Sequence, residues 1–325
     1  MKQVAVVILN WNGLELMKEF LPRVIANSNP KLADIVIADN GSTDNSVQWV
    51  KHEFPDLRLI EFSKNYGFAD GYNKAIKKLE DYPVVILLNS DAAPAQNWIE
   101  PLLDSLVDPS VYAVQPKLLS EKNHGQFEYA GAAGGMLDKN GYPYCRGRIF
   151  DNVEKDEGQY EETTEIFWAS GAALTVRREK YIEAGGLDAD FFAHMEEIDL
   201  CWRLKLMGGK IVYQPKSVVF HLGGASLDAS SPRKTYLNFR NNLLMLHKNL
   251  PAGKDKKNLL FRRRLLDTLA WGQFLLKLKF KHSGAIWRAH RDFLKIRKNY
   301  KVFPSENIME KECTRNILLE KLRGF

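Results

Sequence analysis

One repeating pattern constrains this chain more than any other. Over roughly the first 110 residues, a short apolar run, a polar turn and a helical stretch recur in that order. Val4–Leu9 (VAVVIL), Asp34–Ala38 (DIVIA), Leu57–Phe62 and Val84–Leu88 (VVILL) read as strands. Unbroken β-branched runs mark strands covered on both faces, which is the habit of parallel sheets. Between and after them, Gly13–Ala26, Ser46–Phe54, Asp70–Leu79 and Trp98–Val107 carry apolar residues at helical spacing. The alternation predicts an α/β fold built on a doubly wound, mostly parallel sheet. Ligands of such sheets bind at the carboxyl ends of strands. Asn10, Asp39, Asn65, Asn89 and Asp91 all lie at or just past such an end.

After Pro116 the pattern changes. Glycines become frequent, and an acidic loop runs from Asp151 to Glu165. This stretch predicts mixed structure forming one wall of a cleft. Ala172–Val176 reads as a strand, Glu196–Met207 as a helix, and Tyr236 to Tyr300 as mostly helical. The expected organisation is a first half over 1–110, a second half of the same domain over 111–232, and a basic helical C-terminal extension over 233–325.

Charge is unevenly spread. From Met1 to Pro232 there are 23 Lys and Arg against 33 Asp and Glu, a net −10. From Arg233 to Phe303 there are 19 against 3, a net +16. Such a basic block predicts an anionic partner. In that block Phe261, Leu265, Leu269 and Leu276 share one helical face, with Arg262–Arg264, Lys277, Lys279 and Lys281 around it. Two readings stand: a helical pair packed on the domain, or peripheral docking on an anionic membrane surface. No nucleic-acid recognition motif accompanies the charge. The apolar run near the N-terminus is too short to cross a bilayer. The three cysteines, Cys145, Cys201 and Cys313, lack metal-ligand spacing and read as packing residues in a reducing compartment.

Four constellations carry candidate chemistry, each with an ordinary alternative. Asp39 before Gly-Ser-Thr-Asp-Asn-Ser suits a base or ribose contact, or an Asx turn feeding a helix. Asn89-Ser90-Asp91 offers oxygen ligands at a strand end for one hard cation, or is a common βα turn. Glu196-Glu197-Ile198-Asp199 crowds three carboxylates. One could be a base and another held by Arg203, or all could favour the helix dipole. His221, followed by Leu-Gly-Gly-Ala-Ser226, suits an anion or metal, or is a satisfied turn histidine.

Taken in order, these segments resemble the inverting glycosyltransferase family 2, with its GT-A fold, in a rhamnosyltransferase-like branch. The carriers are VVILNWNG, IVIADNGSTDNS, SKNYGFADGYN, VILLNSDAAP, FWASGAALTVRRE, FFAHMEEIDLCWRLKLMGG and VVFHLGGAS, spanning Val4 to about Lys248. The resemblance implies an enzyme that moves a sugar from a nucleotide-sugar donor to a glycan or lipid-linked acceptor. It implies that 1–110 binds the donor and 111–232 the acceptor. Asn10, Asn12, Asp39, Asn65, Gly67, Asn73, Asn89 and Ser90 would bind the donor, with Asp39 facing the base. Asp91 and His221 would hold Mg2+ or Mn2+, with Asn standing where the family's first Asp is usual. Glu197 would be the general base, where the family has Asp. Glu196, Asp199, Arg203, Trp168, Ser170 and Gly171 would shape the acceptor pocket. The implied setting is polysaccharide or glycolipid assembly in the cytoplasm, on the inner face of the cell membrane.

Three rivals are weighed against this. A nucleotidylyltransferase would want a Gly-rich loop with Arg and Lys after the first strand. A dehydrogenase would want G-x-G-x-x-G there. Asn-Trp-Asn-Gly stands in that place instead. A non-catalytic membrane-associated binding module would not need Asp39, Asp91, Glu197 and His221 together.

Overall fold

The apolar runs form strands close to where their pattern placed them. The structure, a computed structural model, describes residues 2–223 and 231–322. The first strands and helices are β1 (Val4–Asn10), α1 (Leu14–Asn27), β2 (Ala33–Asp39), α2 (Ser46–Glu53), β3 (Arg58–Glu61), α3 (Gly67–Lys77) and β4 (Val84–Leu88). β5 (Ala92–Pro94), α4 (Ile99–Ser105) and β6 (Val111–Ser120) follow. Four short strands come next: β7 (Gly135–Leu137), β8 (Pro143–Cys145), β9 (Arg148–Ile149) and β10 (Asn152–Val153). Then come β11 (Thr164–Ile166), β12 (Ala173–Arg177), α5 (Arg178–Glu183), α6 (Glu196–Leu206) and β13 (Lys210–His221).

The main sheet runs β11-β13-β6-β12-β4-β1-β2-β3, with β5 on β13. β1 to β4 pair in parallel, as expected of fully buried strands. The second half is mixed, because β12 runs antiparallel to both β4 and β6. Register decides which polar groups meet. Pairing Val4 with Ala33 brings Asn10 beside Asp39 at the far end. Pairing β13 with β5 sets His221 opposite Ala92, next to Asp91. The chain leaves β1 on one side for β2 and β3 and returns on the other as β4. That reversal of direction is where such sheets open a crevice.

The core lies between this sheet and its helices. Val4, Val6 and Ile8 pack with Met17, Leu21 and Val24 of α1 and with Trp98. The α1 contacts recur at three- and four-residue spacing, one buried face of a helix. All three cysteines are buried and unbridged, which suits packing residues.

The chain divides into two compact units that interleave in sequence. One contains residues up to 136, 145–192 and 196–223. The other contains 137–144, 193–195 and the described residues from 231 on. In the second, α7 (Pro232–Asn249) starts under a Ser231 cap with Pro232 in its first turn. α8 (Lys254–Leu276) and α9 (Phe280–Ile296) follow. Buried Arg263 of α8 donates to the Asn140 carbonyl at 3.1 Å and to Asn242 Oδ1, and lies over the Tyr142 ring. Buried Asp267 pairs with Arg263 and lies 3.0 Å from His290 Nε2 of α9. Among the described residues no helix is long and apolar enough to cross a membrane.

Candidate active site

At the ends of β1 and β2 the side chains form one closed set. Asn10 Nδ2 donates to Asp39 Oδ1 at 2.9 Å and to Ser46 Oγ at 2.8 Å. Asp39 Oδ2 accepts from the Ser42 amide at 2.9 Å, the Asx turn that the sequence offered as its ordinary reading. Asn12, in the left-handed region at φ 50°, accepts from the Thr43 amide at 2.7 Å. Asp44 Oδ2 accepts from the Leu14 amide and so caps α1 from a neighbouring loop. The two strand-end loops therefore hold each other in place.

Asn40 extends the set. Its Nδ2 donates to Asn65 Oδ1 and to the Gly67 carbonyl, both at 3.0 Å, and its Oδ1 accepts from the Tyr66 amide. Gly41 makes the turn between them at φ +72°, where a Cβ would lie 2.4 Å from the Lys64 carbonyl carbon. Asn65 also accepts from the Gly67 amide, so it braces the start of α3. Gly67 itself faces open space. Asn73, expected as a donor contact, lies on α3 against the 181–187 segment. Its Oδ1 accepts from Tyr181 Oη and the Leu187 amide, and its Nδ2 donates to the Leu187 carbonyl. Its amide ties α3 to the 181–187 segment.

Beyond β4, Asp91 and His221 form a buried pair with Nε2 3.1 Å from Oδ1. Glu128, also buried, faces the other ring nitrogen at 3.4 Å. Burial alone would lower the His221 pKa, but the Asp91 and Glu128 carboxylates outweigh it and hold the imidazole up to about 10. Burial would raise Asp91, yet the His221 hydrogen bond and charge keep it below its ordinary value. Asn89 lies 3.2 Å from the same Nε2. The contact is from Asn89 Nδ2, so Asn89 and Asp91 meet at the same ring nitrogen. Ser90 sits between them, partly exposed. Gly224 to Ser226, the rest of the His221 motif, lie outside the described residues.

The acidic segment opens α6, and its carboxyls have separate environments. Asp199 is fully buried and paired with Arg203 at 2.8 Å. Arg203 also donates to the Ala184 and Gly186 carbonyls. Glu196 is buried, with Oε2 unpartnered among the described residues. Burial, then the charge of Glu197, push its carboxyl well above the usual range. Glu197 is partly exposed. A Cβ at Gly171 would lie 3.8 Å from Glu197 Cβ and 3.7 Å from Phe68 Cζ, which places Glu197 beside the turn that leads into β12. Ser170 and Trp168 brace this wall. Ser170 accepts the Ala172 amide and its own amide donates to Gln115. Trp168 donates to the Met136 carbonyl and covers Gly135.

Among the described residues, no group of three or more His, Cys, Asp and Glu has the geometry of a complete metal site. The donor set still fits a divalent cation whose remaining ligands are substrate phosphates and water. A carboxylate, an imidazole and an amide converge at one strand end, and Mg2+ or Mn2+ sites at phosphates often need only one or two protein carboxylates. Binding there must displace the His221 proton.

Three contributors escaped the sequence reading. Asn40 follows Asp39 inside a motif already noted, so its position was a usable signal. Glu128 lies in a loop and Gln115 on β6, in segments with no such signal; only the fold brings them to His221 and Ser170.

Residues 5–183 match the family described as glycosyl transferase family 2. The chain is 28% identical over 235 residues to the N-acetylglucosaminyl-diphospho-decaprenol L-rhamnosyltransferase of Mycobacterium tuberculosis, covering 66% of this chain and 75% of that protein. It is 34% identical over 223 residues to the rhamnosyltransferase WbbL of Escherichia coli K12, covering 67% and 83%. In structure it resembles a mannosyltransferase of Pyrobaculum calidifontis solved with GDP-Man and Mn2+, at a TM-score of 0.55 and 19% identity, over 93% of this chain and 76% of that one. At that identity the likeness bears on the fold, which agrees with the expected GT-A arrangement. The matched segment holds the Asp39 and Asp91 turns, and Glu197 and His221 lie past its end. With more than half of its sequence inside that match and rhamnosyltransferases among its relatives, the chain belongs to glycosyl transferase family 2.

Proposed function

We propose that this glycosyltransferase moves a sugar from a nucleoside-diphosphate donor to an acceptor hydroxyl with inversion, in polysaccharide or glycolipid assembly at the inner face of the cell membrane. One observation carries the reading. The Asn10–Asp39 set, the Asn89–Asp91–His221 set and Glu197 beside Gly171 lie at ends of strands of a single sheet. Asp39, with Asn10, Asn12 and the Asn65–Gly67 turn, takes the nucleoside. Asp91, His221, Asn89 and Ser90 take the diphosphate, and a divalent cation bound there would neutralise its oxygens. Glu197 accepts the acceptor hydroxyl proton as that oxygen attacks the anomeric carbon. The bond to the diphosphate oxygen breaks on the opposite face, and the nucleoside diphosphate leaves with the electron pair. Glu196 is buried, so the partly exposed Glu197 is the carboxylate placed to take that proton.

The relatives are named for rhamnosyl transfer, one of them to a lipid-linked diphosphate sugar. A dTDP-rhamnose donor and a polyprenyl-diphosphate sugar acceptor are therefore the first pair to assay, with UDP- and GDP-sugars beside them. Release of nucleoside diphosphate that requires both donor and acceptor supports the reading. No transfer or donor binding with any of these, from folded protein, would overturn it.

A further inference from the structure

α8 is a helix turned inside out. Its buried residues are Lys256, Arg263 and Asp267. Several of its large apolar residues face outward: Phe261, Leu265, Leu269 and Leu276 are 64, 54, 71 and 88% exposed. Phe261, Leu265 and Leu269 recur at four-residue spacing and so make one stripe along the helix. Leu278 and Phe280 continue the apolar surface, and Trp287 of α9 is exposed as well. Between α8 and α9 lies a groove of about 610 Å3 lined by Phe261, Trp271, Trp287 and Leu294.

The charges around this surface are mostly of one sign. From Lys254 to Ile296 there are 12 Lys and Arg against 3 Asp. Asp267 is buried in its ion pairs, and Asp292 is paired with Arg291. Exposed Lys257, Arg264 and Arg291 belong to the groove lining. A second copy of this face would bring like charges together. A polynucleotide would answer the cations but leave the leucines in water. An anionic leaflet answers both at once: acyl chains for the stripe, phosphates for the cations, and the boundary layer that tryptophan favours.

We propose that α8 and α9 form a docking face for an anionic lipid leaflet, with the Phe261–Leu276 stripe in the acyl boundary and the flanking Lys and Arg at the phosphates. This rests on the membrane setting of the proposed function and is tested apart from sugar transfer. The test uses the full chain and phosphatidylcholine vesicles with and without phosphatidylglycerol, in the absence of donor and acceptor. Sedimentation should require phosphatidylglycerol and weaken as salt is raised. Each cation near an anionic surface is worth about five-fold in partitioning, so Arg264→Gln with Lys277→Gln should weaken it about thirty-fold. Leu269→Ser with Leu276→Ser, at exposed positions that should leave the melting temperature unchanged, should weaken it independently of salt. Equal sedimentation with and without phosphatidylglycerol, or variants that sediment like the parent, would overturn the proposal. So would a dimer in solution that Leu269→Ser with Leu276→Ser abolishes, since the face would then belong to a second copy.

Discussion

Arg203 reaches back one helical turn to Asp199, placing Nη2 2.8 Å and Nε 2.9 Å from the same carboxylate oxygen. The same guanidinium holds the Ala184 and Gly186 carbonyls. Asn73 holds the next residue, Leu187, through both its amide and its carbonyl. The turn from 184 to 187 is thus gripped by α6 on one side and α3 on the other. That grip fixes the first turn of α6, where Glu197 sits.

Arg203→Met should therefore cost stability as well as rate. It strips the guanidinium from a fully buried carboxylate, and breaking a buried pair from one side costs about 3–5 kcal/mol. Urea unfolding should show a loss of that order. Adding Asp199→Asn should recover most of it, because the buried charge is then gone. A single variant within about 1 kcal/mol of the parent would show that the pair does not brace the helix.

The two adjacent glutamates should respond in opposite ways. Glu197→Gln should lower kcat by about 10²–10⁴ while leaving nucleotide binding intact, since only the proton acceptor is lost. Glu196→Gln should keep activity within a few-fold. Burial and the charge of Glu197 push its carboxyl well above the usual range in the fold, whereas in the unfolded chain it ionises above about pH 4.3. Stability is thus lost as pH rises from there toward the raised folded value, and Gln at 196 should remove that loss. Steady-state kinetics and melting curves across pH would separate the two. A full loss of kcat in Glu196→Gln alone would reverse the assignment.

Much of this was legible in the sequence, for a definite reason. Buried parallel strands announce themselves by unbroken apolar runs, and their ends are where the polar residues begin. Asn10, Asp39, Asn89 and Asp91 followed from that alone. What was hidden depends on contacts between remote segments. Glu128 reaches His221 from a loop without periodicity. Trp168 and Ser170, read as pocket residues, brace the wall through Met136, Ala130 and Gln115. The stripe of α8 was visible at helical spacing, but its outward orientation was not. That was settled by Arg263 and Asp267, which find partners at Asn140, Asn242 and His290 and draw the charged face inward.

Asp91→Asn should remove the metal dependence of donor binding. The amide keeps the shape but loses the charge that suits a hard cation. In the parent, Mn2+ should increase the thermal stabilisation given by the preferred nucleoside diphosphate, and in the variant it should add nothing. An unchanged Mn2+ effect would move the cation site away from Asp91.

His194 sets an acid limit on the helical unit. It lies in a segment where Phe192, His194 and Met195 all have positive φ, which is strained for side chains of that size. Asn241 of α7 donates to the Ala193 and His194 carbonyls at 2.8 and 2.7 Å and clamps the segment. Burial, then the charge of Lys234, lower the His194 pKa to about 4. Unfolded histidine titrates near 6.5. The neutral ring therefore contributes its full stability above about pH 6.5, and this is lost as pH falls toward 4, because the unfolded chain then binds the extra proton. A shift of that size is worth about 3 kcal/mol at most. His194→Gln should flatten the fall in melting temperature between pH 6.5 and 4. Glu197 lies three residues further along the chain, so donor-dependent activity should be followed in the same samples. If the variant melts with the parent's pH dependence, His194 is not what limits the fold in acid.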